Sequence, residues 1–424
     1  MDFQFIKRLT IMHLFYAISF VTSGLILSIL QGFLYVTLRN FSKYTYRKIN
    51  YYLNYSFNCQ LVFMLEWWAG GNVEVYIDKD EYEKYYGKEH AYLIMNHSYE
   101  IDWLVGWQFC DKIKVLGNCK AYAKKSIQYM PPIGWMWKFA EFVFLERSFD
   151  KDKQIILNQV SILGDYPDPI WLLLFPEGTR FSTKKHEASQ KFAAEKGLPI
   201  LKHHLTPRTK GFTTSLQGIR NKFKAVYDTQ IAFKKTDKVA PTMTSLLFGK
   251  QVTAHLYINR IPLEDIPTGE EEGSKWLHDL YIQKDKMQDS FYNTGDFFTE
   301  SGVKRVIPFK LHRRPYSLIN TVVWNIVILV PMLKWLLGLL FSGELLYFSI
   351  AIAVFGTLLC LGRALGPVNR RDSHSDPVLH TGPSAVHLTE SLVHSAGINI
   401  HSPLSFASRS ALPFPAVFAI VLSR

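Results

Sequence analysis

The chain is predicted to be an α/β protein with transmembrane helices at its N-terminal and C-terminal sides, and three observations carry that prediction. Short apolar runs of strand length, among them Ala91–Met95 and residues 171–175, end abruptly in polar clusters. Residues 9–38 contain no Lys, Arg, Asp or Glu, and residues 316–340 and 345–362 are two further apolar segments; about 20 apolar residues suffice to cross a bilayer. With 424 residues, the chain is long enough for one large domain plus accessory segments.

The N-terminal apolar segment is too long for a signal-peptide core, and no small-residue cleavage site follows it. Lys7 and Arg8 precede it, while Arg39, Lys43, Arg47 and Lys48 follow, which places the downstream side in the cytosol. Ser23, Ser28 and Gln31 also admit a bent or re-entrant helix. Residues 44–68 are dense in rings, including Tyr51, Tyr52, Trp67 and Trp68. Such rings suit a headgroup layer, and they equally suit an aromatic core helix. Residues 72–78 alternate as a strand, and residues 81–88 are a charged connector.

Residues 91–102 read AYLIMNHSYEID. The strand stops at Asn96 and His97, and a second apolar segment of helical length begins at Ile101. His97 and Asp102 are five apart, which in one straight helix puts them about 140° apart. They meet only if His97 lies in the turn and Asp102 in the first helical turn. Ser98 is the expected N-cap, and Glu100 and Asp102 suit the positive helix end. The carboxylate then holds one imidazole nitrogen and leaves the other free to take a proton, a general base without a nucleophile.

Lys124 and Lys125 precede a helical piece that Pro131, Pro132 and Gly134 are expected to terminate. Residues 142–145 form a short strand with Glu146 and Arg147 at its end. Ligands bind at strand ends in α/β sheets, and an Arg there can grip a phosphate bidentately or pair with a neighbouring acid. Residues 171–175 are followed at once by Pro176, Glu177, Gly178, Thr179 and Arg180. Gly178 lets backbone approach a ligand closely. Three strand ends carrying a His/Asp pair, an Arg and a Glu/Gly/Arg cluster make one pocket.

NHSYEID, FVFLER and FPEGTR, in that order, resemble the first three blocks of the glycerolipid acyltransferases related to bacterial PlsC. LEWWAG, IGWMW, KGLPILKHHLTPRTKGF, AVYD and RIPLEDIP are similar to the gamma/delta branch of the 1-acylglycerol-3-phosphate acyltransferases, also called lysophosphatidic acid acyltransferases. The resemblance covers residues 3–371. It implies a PlsC-like domain with a mixed β-sheet flanked by helices, and acylation of the sn-2 hydroxyl of lysophosphatidic acid by acyl-coenzyme A. It implies His97 as base and Asp102 as its orienting partner. Lys125, Arg147 and Arg180 would hold the phosphate, while Glu177, Gly178 and Thr179 would shape the substrate region. Glu141 departs from the Gly that many relatives carry before the second block. Pro207, Arg208, Lys210 and Gly211 resemble the fourth block loosely. Another lysophospholipid acceptor, such as lysophosphatidylinositol, or a non-catalytic lipid-binding role are the alternatives.

Residues 188–197 read as a helix, residues 198–205, 225–233 and 252–261 as strands, and residues 270–291 as an amphipathic helix. Lys184, Lys185 and His186 suit either coenzyme A phosphates or a solvated basic loop. The two C-terminal apolar segments, joined by Ser342, Gly343 and Glu344, are expected to form a hairpin with both ends cytosolic. Residues 372–424, rich in Ser, Pro and His, read as a disordered tail. His380, His387, His394 and His401 recur there every seven residues without a helix pattern around them. The expected organisation is therefore a membrane helix at 1–40, the catalytic domain at 41–312, the hairpin at 313–371 and the tail at 372–424.

The net charge of +12 suits nucleic acid, an anionic membrane or phosphate-bearing substrates. The apolar segments decide for the membrane, so lysophospholipid, acyl-coenzyme A and the bilayer are the expected partners, with no nucleic acid. The four cysteines, Cys59, Cys110, Cys119 and Cys360, lack disulfide-framework or zinc spacing. No metal or cofactor is expected, and the endoplasmic reticulum membrane is the expected location. Oligomeric state is not legible.

Overall fold

The computed structural model describes residues 3–346, 349 and 356. The second half of the expected hairpin, the tail and its spaced histidines lie outside the described residues.

Eight strands, β1 (Asn72–Tyr76), β2 (Ala91–Met95), β3 (Cys119–Lys124), β4 (Val143–Leu145), β5 (Trp171–Leu174), β6 (Ala225–Ala232), β7 (Thr253–Pro262) and β8 (Phe309–Lys310), form one sheet in the order β4-β3-β5-β2-β6-β7-β1-β8. The first five in that order run parallel; β6–β7 and β1–β8 are antiparallel. The sheet is mixed, as expected. In the parallel half, all carboxyl ends lie along one edge, so the segments after β2, β3, β4 and β5 gather there.

Helices α1 (Phe3–Arg8), α2 (Thr10–Phe41), α3 (Lys43–Phe63), α4 (Lys79–Tyr85), α5 (Asp102–Lys112) and α6 (Ile133–Phe139) precede α7 (Phe149–Leu163), α8 (Thr183–Glu195), α9 (Thr209–Ile219), α10 (Met243–Leu247), α11 (Glu270–Thr294) and α12 (Tyr316–Leu340). All five residues of β2 are buried, because both faces of the sheet are covered. Leu93 and Met95 pack on one face with Leu104 and Val105 of α5. Tyr92 and Ile94 pack on the other with Ile156 of α7, Phe212 of α9 and Leu277 of α11.

Helix α2 inverts the usual amphipathic pattern. Ser19, Ser23, Ser28 and Gln31 are buried, while Ile29, Phe33 and Val36 are exposed. The polar side chains stitch it to its neighbours: Gln31 Nε2 donates to Asn54 Oδ1 of α3 at 2.9 Å, and Ser19 Oγ to Asn325 Oδ1 of α12 at 3.0 Å. An apolar outside with a hydrogen-bonded polar seam is what a lipid surround favours. The helix runs unbroken from Thr10 to Phe41. In α3 the two readings of the aromatic stretch divide by residue: Tyr46 and Phe57 are core, whereas Tyr44 and Tyr52 are exposed.

Four local expectations are corrected. Residues 198–205 are not a strand, because Asp285 accepts the amides of Lys202 and His203 at 2.7 and 2.8 Å and leaves them nothing to give a sheet. The charged connector holds a helix, α4, capped by Asp78, which accepts from Asp80 N and Glu81 N. The prolines at 131 and 132 do follow a short 3₁₀ helix at Lys125–Tyr129, but Gly134 does not help to end it and lies within α6, which starts directly after the prolines. Finally, Ser98 is not an N-cap, since α5 begins at Asp102.

Candidate active site

The turn after β2 is organised by one carboxylate oxygen. Asp102 Oδ2 accepts Ser98 N at 2.7 Å and Tyr99 N at 2.8 Å, and lies 3.1 Å from His97 Nδ1. Asp102 Oδ1 is buried without a hydrogen-bond partner among the described residues. The burial pushes the Asp102 carboxyl above its usual range, against the pull of His97 and the two amides. The His97 ring stacks on Phe175, centroids 4.2 Å apart. Phe181 N donates to His97 O at 2.8 Å, tying this turn to the one after β5.

Glu177 sits beneath that junction. Its Oε1 accepts His97 N at 2.9 Å and its Oε2 accepts Leu205 N at 3.2 Å. Burial raises its pKa as well, opposed first by the nearby His204. Glu177 therefore braces the backbone of the His97 turn. Gly178 has φ +69°, and a Cβ there would lie 2.9 Å from Arg208 Nε. The left-handed backbone favours glycine here, and its missing side chain leaves room for the exposed Arg208 to lie against it.

After β4 the device recurs: Asp152 of α7 accepts Glu146 N at 2.8 Å and Ser148 N at 3.0 Å. Arg147 between them has φ +66°, a conformation uncommon for a residue with a side chain. Glu141 also has positive φ, at +59°, a backbone conformation that glycine adopts without steric cost. Its carboxylate is taken by Arg47 at 2.9 Å and Arg39 at 3.1 Å; Arg47, with Tyr166 and Lys120, holds its pKa down against burial.

A cavity of about 910 Å³ opens along this edge, lined by His97, Arg147, Gly178, Thr179 and Arg180. Under α5 its wall is apolar, with Leu93, Trp103, Trp107 and Trp171. Arg180 Nη1 is 3.5 Å from Glu100 Oε2, and Lys185 Nζ donates to Thr179 Oγ1 at 2.6 Å. Of the eight sequence-predicted site residues, His97, Arg147, Gly178, Thr179 and Arg180 line the cavity, and Asp102 and Glu177 contact His97. Lys125 does not line the cavity: it pairs with Glu146 at 2.5 Å, while its neighbour Lys124 is on the lining.

Four contributors lay outside the expected set of site residues. Asp152 carried no signal beyond its place in a first helical turn. Arg208 and Lys210 also line the cavity; the loosely matched fourth block was their trace. Lys120 is fully buried on the lining, its ammonium 5.0 Å from the Tyr166 ring, and burial lowers its pKa to about 8.

Residues 74–215 match the family model described as Acyltransferase, and residues 245–324 match Acyltransferase C-terminus. The chain is 41% identical over 350 residues to the human 1-acyl-sn-glycerol-3-phosphate acyltransferase delta, covering 82% of this chain and 90% of that one. It is 41% identical over 340 residues to the human gamma enzyme, covering 80% and 88%. The crystal structure of the 1-acyl-sn-glycerophosphate acyltransferase PlsC from Thermotoga maritima aligns with TM-score 0.35 at 15% identity, over 61% of this chain and 92% of that one. With identity of that level to the two human enzymes over four fifths of its length, the chain is an acyltransferase and belongs to the 1-acyl-sn-glycerol-3-phosphate acyltransferases of the gamma/delta group.

Proposed function

We propose that the protein transfers an acyl group from acyl-coenzyme A to the sn-2 hydroxyl of lysophosphatidic acid, giving phosphatidic acid and free coenzyme A. The observation that carries this reading is the His97–Asp102 contact on the wall of a cavity rimmed by Arg147 and Arg180. Asp102 holds Nδ1, so Nε2 is the nitrogen left to take a proton. The acceptor oxygen attacks the thioester carbonyl as His97 removes its proton. The tetrahedral intermediate then expels the coenzyme A thiolate, and the imidazolium returns the proton to that sulfur. No enzyme nucleophile is needed, because the thiolate is already a good leaving group.

Arg147 and Arg180 are suited to the acceptor's phosphate, which fixes the hydroxyl near the imidazole. The apolar wall under α5 suits an acyl chain. Helices α2 and α12 are each long and apolar enough to span a bilayer, and we place the enzyme as a multi-pass protein of the endoplasmic reticulum with its catalytic edge toward the cytosol. Soluble acyl-coenzyme A and membrane-held lysolipid would meet there.

The test is His97→Ala in purified full-length protein. Expression and membrane extraction should match the parent, and kcat should fall by roughly 10²- to 10⁴-fold. Retained turnover would overturn the assignment of the base. An acceptor panel run alongside decides the substrate: preference for acceptors without a terminal phosphate would replace lysophosphatidic acid with another lysophospholipid.

A further inference from the structure

A second cavity of about 580 Å³ lies between α8, the segment 205–209 and His278 of α11. Thr179, Lys185, Arg208 and Thr209 line both this cavity and the catalytic one. The two spaces are therefore neighbours across one short wall. Nothing in the catalytic step uses this second space.

Its lining has two characters. Phe192, 49% exposed, stands with Leu198 and Ala188 on the α8 side. Lys185, Arg208 and His278 supply the basic side, with hydroxyls from Ser189 and Thr206 between. Glu177 is the only acidic residue on the lining among the described residues, and its two oxygens already accept the amides of His97 and Leu205. Among the described residues the ammonium of Lys185 meets only neutral oxygens, Thr179 Oγ1 at 2.6 Å and Arg180 O at 3.2 Å. Arg208 is exposed, and its guanidinium has no ion pair among the described residues. Two cations without an acidic partner beside a half-exposed aromatic ring match a ligand that is polyanionic at one end and flat and apolar at the other.

A glycerophosphate headgroup has the charge but no flat face. An adenine nucleotide has both. Resting on acyl-coenzyme A as donor, we propose that this cavity holds the phosphoadenosine end of coenzyme A, with the base against Phe192 and the phosphates between Lys185 and Arg208. The pantetheine arm then crosses the shared wall at Thr179 to bring the thioester to His97. Stacking on an aromatic ring is worth about 1–3 kcal/mol per base, or roughly 5- to 150-fold in binding.

The probe is adenosine 3′,5′-bisphosphate, which carries the base and phosphates without the acyl arm. In detergent-solubilised full-length enzyme it should inhibit competitively against acyl-coenzyme A and not against lysophosphatidic acid. Phe192→Ala should raise KM for acyl-coenzyme A and weaken the bisphosphate at least about 5-fold, with KM for lysophosphatidic acid unchanged. His278→Ala gives a second, independent variant with the same expected direction should the α8 substitution disturb folding. Competition against the lysolipid, or an unchanged KM for acyl-coenzyme A in both variants, would overturn the nucleotide site. An enzyme that does not turn over acyl-coenzyme A at all would instead defeat the donor assignment on which this site rests.

Discussion

The turn after β2 and the turn after β4 are built alike and used differently. In each, an aspartate from the first turn of the following helix collects two backbone amides: Asp102 those of Ser98 and Tyr99, Asp152 those of Glu146 and Ser148. Asp152 uses both oxygens on backbone. Asp102 uses one oxygen for both amides and for the His97 ring, and leaves the other bare in the interior. The first turn thus couples its own shape to the orientation of an imidazole, while the second presents Arg147. An acid can hold a loop from either place, but it orients an imidazole from one.

That contrast breaks most readily on Asp102→Asn against Asp152→Asn. Asparagine keeps an acceptor for the turn but removes the charge that stabilises the imidazolium, so Asp102→Asn should lower kcat by about 10²-fold or more. Asp152→Asn should leave kcat within a few-fold and lower stability by about 1–3 kcal/mol, through weakened amide contacts. Steady-state kinetics and thermal unfolding on the same preparations separate the two. Equal losses of kcat would erase the distinction.

Next in size, Arg147→Ala and Arg180→Ala should raise KM for lysophosphatidic acid by about 10-fold or more, since a charge-assisted contact contributes about 1.5–3 kcal/mol. The effect should shrink as salt rises, because both side chains are partly open to water. A fall in kcat with unchanged KM would move these arginines from substrate holding to chemistry.

The smallest effect concerns pH. Burial raises the Asp102 pKa above its ordinary 3.8, so the folded state holds that proton more tightly than the unfolded chain. The stability this adds is fully present below about pH 3.8 and is lost as pH rises through the higher folded value. The stability difference between the parent and Asp102→Asn should therefore shift in favour of the variant over that window. Melting curves across the acid range would read it, and a shift of opposite sign would contradict the buried, underbonded oxygen.

The His97 turn was legible because two local signals coincide there: an apolar run that stops, and an acid placed where a helix must start. Arg147 and Arg180 were legible as charged residues following short strands. Lys124, the last residue of β3, lines the cavity, whereas Lys125 opens the short helical turn that follows and is paired with Glu146. The segment around His203 looked like a strand because it is apolar and β-branched in part, yet its amides go to Asp285, more than eighty residues away. Asn96 shows the same limit: it heads an N-x-S sequence, but its amide is buried against Ile231, donating to its oxygen at 3.0 Å and accepting its N–H at 2.8 Å.

By itself the sequence determined the α/β class, the strand ends that stop in polar clusters, the His97–Asp102 pairing and the apolar helices, because each follows from short-range periodicity and charge placement. Only the tertiary structure decided which cations line the cavity, that Glu177 braces the His97 backbone, and that Arg208 lies over Gly178 beside a second space. Those facts depend on the order β4-β3-β5-β2 and on segments far apart in the chain meeting at one edge. Hydrogen-bond partners at such separations leave no periodic trace to read.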